Sequence, residues 1–402
     1  MENNNSNIVN DIKSLVNNYM TEPETGNLMK VLEENVTLKS NEDLFPTETE
    51  RKQVEYEFPI GTEFRLLIDR IITECERFLP EDKFYRLILD LSELMLFSGE
   101  NLFALEIAEY QLNKLNSCNN FPLIIAETNL MISRIHWTQA YWDDCSYYIS
   151  EAMQIFKSLD NKPGMAKCEN MFGTLYGEKG EFSDAKNHLE NALTYLKEEE
   201  DLLSHAMILT NLGIISAIQG DYEKAIWNCK NSIEKFEKLN DTRRLSRVYH
   251  NMGMLFSRMQ HYDAALDEFN KCITLSIENN YLSNCAVAYI GKAFIYTKLK
   301  NVALADAYTN KAMEIAYRIN DTLSIADIYK IKGMIQNDLE NFQLSEELFE
   351  NSIRLNKDME NKCNEAEASA EIGKLLQKND RNEEAEKYIS SADEYFKRIQ
   401  VD

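Results

Sequence analysis

Residues 251–265 read Asn251-Met-Gly-Met-Leu-Phe-Ser-Arg-Met-Gln-His-Tyr-Asp-Ala-Ala, and residues 211–225 read Asn211-Leu-Gly-Ile-Ile-Ser-Ala-Ile-Gln-Gly-Asp-Tyr-Glu-Lys-Ala. The two stretches align without a gap. Small residues recur at Gly173, Gly213, Gly253, Ala293, Gly333 and Gly373, 40 residues apart each time. Twelve positions after each comes Ala185, Ala225, Ala265, Ala305, Ser345 or Ala385, and seven further on Ala192, Ser232, Cys272, Ala312, Ser352 or Ala392. Between the first two series lies a turn followed by an aromatic: Gly180 with Phe182, Gly220 with Tyr222, Gln260 with Tyr262, Glu340 with Phe342. Val302 and Asn382 take the aromatic's place in two copies. Polar residues mark the junctions at Asp160, Glu200, Asn240, Asn280, Asn320 and Glu360.

A fixed period of this length is the signature of a repeat architecture. Each unit reads as helix A, a short turn and helix B. Small residues let the two helices approach closely, and the residue after the turn plugs the gap. Around Gly253 the apolar residues Leu245, Val248, Met252, Leu255 and Phe256 share one helical stripe. One hairpin cannot bury its apolar faces alone, so neighbours must stack into a superhelix.

Gly, then Ala twelve later, then a small residue seven later, with Tyr or Phe after the turn, resembles the tetratricopeptide repeat. The resemblance covers about residues 125–400. The period here exceeds the ~34 residues of the standard unit, which implies longer helices or a longer junction. Extended repeats of this kind are similar to those of polarity scaffolds, kinesin light chains and bacterial peptide-sensing regulators. An earlier copy fits around Ser133, Cys145 and Ala152, with Trp142 after the turn. A degenerate copy fits 84–124, with the turn Gly99-Glu100-Asn101 and Ala104. The expected fold is therefore all-α: a superhelix of seven to eight hairpins behind an N-terminal helical segment. The expected organisation is an acidic segment at 1–80, a degenerate repeat at 81–124 and seven copies of 40 residues at 125–402. We number those copies one to seven from Ser133 to Gly373.

The first 50 residues hold ten acids and three bases. Helices are expected at about Ile8–Tyr19, Thr25–Asn35 and Thr62–Phe78, the last before Pro80, with a polar linker near 37–60. Two plain roles suit this segment, a cap over the first repeat or a mobile acidic arm. A helix-turn-helix reader would need a basic recognition helix, and no such pattern is present.

The chain of 402 residues has 43 Lys and Arg against 67 Asp and Glu, a formal charge of -24. Nucleic acid and anionic membrane are disfavoured partners for such a surface. The N-terminus has no apolar signal core, and no run of about 18 apolar residues is present, so a cytoplasmic location is expected. Gly (13) and Pro (6) are scarce; average usage would give about 28 and about 20. The eight cysteines form no C-x-x-C pair and no His lies at zinc-ligand spacing. Buried, reduced thiols are expected, with no metal and no cofactor. No phosphate-binding loop, dinucleotide fingerprint, H-E-x-x-H or nucleophile elbow occurs, so no catalytic residue is assigned and the chain is expected not to be an enzyme.

In tetratricopeptide-like stacks helix A lines the concave face. The resemblance then implies inward positions at Asn211, Ile214 and Ile218 in copy 3, Arg247, His250, Asn251, Met254 and Arg258 in copy 4, and Phe294 and Lys298 in copy 5, with Arg134 and Lys167 earlier. Asn at the position of Asn211 and Asn251 holds a ligand main chain in peptide-binding members, since an amide offers both a donor and an acceptor. Arg247 and Arg258 lie three turns apart on one face and suit a carboxylate. Later copies turn acidic with Asp327, Asp338, Glu367 and Glu371. The plainer alternative is that Asn251 caps local backbone and the Arg residues pair with nearby Glu. Two functions follow: a scaffold that binds a protein or peptide bearing carboxylates and apolar anchors, or a peptide-regulated signalling protein similar to the Rap family of response-regulator phosphatases. No N-terminal functional residue of that family is matched here. Oligomeric state is left open.

Overall fold

A computed structural model of the chain describes residues 11–20 and 61–401, apart from 98–99, 119, 140, 198–200, 280 and 320. The expected helix at Thr25–Asn35 and the linker lie outside the described residues. Among the described residues every element is a helix. They are α1 (11–17), α2 (Gly61–Phe78), α3 (Glu81–Phe97), α4 (Asn101–Cys118), α5 (Pro122–Thr138), α6 (Trp142–Ser158), α7 (Lys162–Lys179), α8 (Phe182–Tyr195), α9 (Leu202–Ile218), α10 (Tyr222–Leu239), α11 (Thr242–Arg258), α12 (Tyr262–Glu278), α13 (Leu282–Lys298), α14 (Val302–Arg318), α15 (Thr322–Asp338), α16 (Phe342–Asp358), α17 (Lys362–Lys378) and α18 (Asn382–Val401).

Two compact units result, Met1–Ile135 and His136–Asp402. In the first, α1 buries Ile12 and Val16, and Met20 is buried just beyond it. Tyr19 donates to Asp90 Oδ2 at 2.6 Å, and the expected helix at 62–78 is present as α2. The degenerate copy folds as the hairpin α3–α4, where Ser92 Oγ donates 2.8 Å to the carbonyl of Ala104.

In the second unit α7–α8, α9–α10, α11–α12, α13–α14, α15–α16 and α17–α18 pack as hairpins, and each B helix also packs on the next A helix. The small-residue positions are where the helices meet. A Cβ on Gly173, Gly213, Gly253, Gly333 or Gly373 would fall 2.5–2.8 Å from Leu189, Cys229, Phe269, Phe349 or Ile389, each sixteen residues on. Phe269 and Phe349 are fully buried. Copy 5 has Thr309 at that register, and there the A helix carries Ala293 in place of glycine. Every B helix begins at its plug: Phe182, Tyr222, Tyr262, Val302, Phe342 and Asn382. Phe182 is buried outright, whereas Asn382 is exposed.

The residues just after the junction positions act as caps, while Glu200, Asn280 and Asn320 themselves lie outside the described residues. Asn161, Asp201, Asp241, Asp321 and Asn361 each accept from the backbone N–H three residues on, at 2.7–3.2 Å. Asp160, Asn240 and Glu360 take positive φ of 48°, 53° and 52° just before them. Successive A helices touch, α7–α9, α9–α11, α11–α13, α13–α15 and α15–α17, while no two B helices make such a contact among the described residues. The stack therefore curves with the A helices on the inner arc.

Gly253→Val should break this packing, because the added branches meet the Phe269 ring. Overpacking costs about 1–3 kcal/mol, so the urea midpoint should fall relative to wild type. An unchanged midpoint would mean the hairpin does not depend on this approach.

Candidate functional site

The A helices present their inner faces along the concave arc of the second unit. In copy 4, Arg247, Met254 and Arg258 are exposed, and His250 and Asn251 are half-buried. Arg247 reaches only Asn284 Oδ1, at 3.5 Å. Among the described residues neither Arg247 nor Arg258 makes an ion pair, and the Asn251 side chain makes no hydrogen bond. Each arginine nevertheless lies in the field of a carboxylate, Arg247 near Glu178 and Arg258 near Glu367. His250 Nδ1 is closed off from water and has no hydrogen-bond partner. Burial, helped by the charge of Arg247, lowers the His250 pKa to about 3, so the ring is neutral at pH 7.

Copy 3 differs. Asn211 donates to Asn170 Oδ1 at 2.9 Å and to Thr174 Oγ1 at 3.2 Å. Both amide hydrogens are therefore used in tying α9 to α7. Ile214 is exposed and Ile218 half-buried beside the core of copies 2 and 3. In copy 5, Lys298 Nζ sits 4.9 Å from the centroid of the Phe294 ring. Lys167 is exposed. Arg134 belongs to the first unit, where it pairs with Glu93 at 2.9 Å and lies 5.7 Å over Phe97. Its charge is already used there.

Charges from distant copies feel one another across the arc. Glu178 of α7 stands within the field of Arg247, two copies on. Its carboxyl pKa is raised because protein encloses it, with Arg247 opposing, although water still reaches the side chain. Glu367 of α17 feels Arg258 and Lys298, three and two copies earlier. Residues so far apart in sequence share a field only when they face one concave space.

Copies 6 and 7 hold a compact triad that sequence spacing did not single out. Lys330 Nζ lies 2.6 Å from Glu367 Oε2 and 3.1 Å from Asp327 Oδ1. Burial works against the Lys330 charge, but the two carboxylates outweigh it and hold its pKa above the usual value. Burial also opposes the Glu367 charge, yet Lys330 draws its pKa below the ordinary range. The Asp327 pKa is raised, mainly by burial.

Six cysteines, Cys75, Cys145, Cys168, Cys229, Cys272 and Cys285, are buried and unpaired. Burial pushes the thiols of Cys75, Cys145, Cys168 and Cys229 up to about 12, far from thiolate reactivity. Among the described residues no cluster of His, Cys, Asp and Glu is arranged to hold a metal ion. No described helix is long and apolar enough to cross a membrane.

Comparison with known proteins agrees with this geometry. Residues 204–278, copies 3 and 4, match the family profile described as Tetratricopeptide repeat. No curated protein matches the chain. A Rap protein solved with Competence and Sporulation Factor is similar at 14% identity, with TM-score 0.65 over 84% of this chain and 93% of that one. The Rap conjugation gene regulator of plasmid pLS20, solved with the Phr* peptide, gives TM-score 0.60 at 14% identity over 71% and 77% of the two chains. Aspartyl phosphate phosphatase F from Bacillus subtilis gives 0.57 at 14% identity over 82% and 88%. The second unit has the fold of a tetratricopeptide-type superhelix, and the solved structures similar to the chain include Rap-type regulators.

Lys330→Met should leave Asp327 and Glu367 facing each other without a counter-charge. Losing one partner of a buried pair costs about 3–5 kcal/mol; Glu367 keeps 38% of its side chain exposed, so about 2 kcal/mol is expected at pH 7. The Glu367 contribution is complete above the ordinary carboxylate pKa and is lost as pH falls through its lowered folded value. The gap in melting temperature between Lys330→Met and wild type should therefore shrink from pH 7 to pH 4. A gap that widens on acidification would contradict the charge assignment.

Proposed function

We propose that the second unit binds a peptide, or an unstructured segment of a protein, along its concave surface, and that it works by binding alone. The observation that carries this reading is the unspent polar set of copy 4. Arg247 and Arg258 close no ion pair among the described residues, Asn251 lacks a hydrogen bond, and the buried Nδ1 of His250 is unmet. Buried polar atoms are normally satisfied. Two guanidinium groups and an amide on one concave face are what a ligand would complete.

Each group has a defined part in this reading. The guanidinium groups receive a carboxylate, fork to fork. The amide of Asn251 pairs with one peptide N–H and C=O. Met254, Ile214 and Phe294 offer apolar surface for anchors, with Lys298 above the Phe294 ring. Asn211, occupied by Asn170 and Thr174, positions α9 instead of holding ligand.

A second reading, peptide-regulated bacterial signalling, is favoured by the likeness to Rap proteins, which spans 93% of one such chain. It shares the same binding surface and differs in what the bound state does next.

Arg247→Glu/Arg258→Glu should weaken capture of an acidic partner by at least about tenfold, or about 1.4 kcal/mol. Affinity purification with wild type supplies the partner, and fluorescence anisotropy with its peptide measures the loss. A partner that binds the double variant as tightly as wild type removes this site.

A further inference from the structure

One contact of the second unit is not required by the repeat. Solenoid units touch only their neighbours, yet α7 in copy 2 packs against α17 in copy 7, five copies later. Beside this contact, Gly180 faces Tyr395 of α18. A Cβ on Gly180 would lie 2.6 Å from Tyr395 Oη and 3.3 Å from its Cζ. Tyr395 is 8% exposed and packs edge-on against Phe396. The A–B turn of copy 2 thus seats on the last hairpin, and the superhelical turn closes on itself.

Backbone conformation does not explain the glycine at 180. Its φ is +77°, in the left-handed region that favours Gly. The same turn position is Gln260, Lys300, Glu340 and Asp380 in copies 4–7, with φ of 61°, 58°, 61° and 60°. Four ordinary residues accept that conformation here. Gly220 holds the position in copy 3, and a Cβ there would meet nothing within 4 Å. What sets Gly180 apart is the tyrosine against it.

We propose that the Gly180–Tyr395 seam is a latch that holds the second unit shut, and that its opening controls entry of ligand to the concave surface. The control of entry rests on the peptide-binding reading above; the closure itself does not. The inner side of the seam is charge-matched to the same surface. Glu367 on α17 lies in the field of Arg258 and Lys298. A ligand carboxylate that engages Arg258 competes with Glu367 and so loosens the closure it must pass.

The test uses four full-length proteins: wild type, Gly180→Gln, Gly220→Gln and Tyr395→Ala. Gly180→Gln installs the residue that copy 4 uses at this turn. Gly220→Gln carries the same backbone cost away from the seam. X-ray scattering should give a larger radius of gyration for Gly180→Gln and Tyr395→Ala, and the wild-type value for Gly220→Gln. The association rate of a fluorescent nonapeptide library rich in Glu and Leu should rise at least about threefold in the two seam variants, since a closed state lowers the competent fraction. Tyr395→Ala keeps the test decisive if Gly180→Gln fails to fold. Wild-type scattering from the seam variants overturns the latch. Expansion without faster association overturns its control of entry. If the library binds none of the four proteins, the peptide-binding reading has failed for this ligand class, and scattering alone decides the closure.

Discussion

Each hairpin of the array rests on one steric condition, the close approach of helix A to helix B where a side chain from B occupies the space a Cβ would fill. Leu189, Cys229, Phe269, Phe349 and Ile389 fill it against five glycines. The approach sets the angle between the helices, and that angle, repeated, sets the curvature. Interiors are packed too densely to absorb an extra methyl group without displacement. A change at one glycine therefore shifts the orientation of every copy beyond it.

Much of this was legible because the period is exact in sequence. The small-residue series and the plug after the turn act within one hairpin, and the polar junctions recur between hairpins, so spacing alone places them. The partner row sixteen residues on was missed. Its members are Leu, Cys, Phe, Thr, Phe and Ile, which share register and not size, so no repeated letter marks them.

The candidate site was legible to the level of the face and not of the bond. Helical phase brings Arg247, His250, Asn251 and Arg258 to the inner arc. It does not tell that Asn211 is spent on Asn170 and Thr174 while Asn251, at the identical register, has no partner. The difference lies in the preceding copy. Asn170 and Thr174 each stand forty residues before Thr210 and Ile214, so copy 3 offers Asn251 only Thr210 and Ile214, of which Thr210 is bonded to Ser232. Likewise Arg134 matches the pattern, but Glu93 already holds it.

The seam was beyond sequence reading for a further reason. Whether α7 meets α17 depends on the sum of five small rotations, none of which is written in a single residue. This same sum makes the contact responsive. A one-degree change per copy is negligible locally, yet it adds over five copies and acts at the far end as a displacement of α17 against α7. The surface proposed for ligand on copies 3 to 5 lies between those two ends. A stack held only by neighbours would absorb such a change as a gradual bend. A stack closed on itself must either strain or open, so the single non-neighbour contact turns a continuous deformation into a choice between two states.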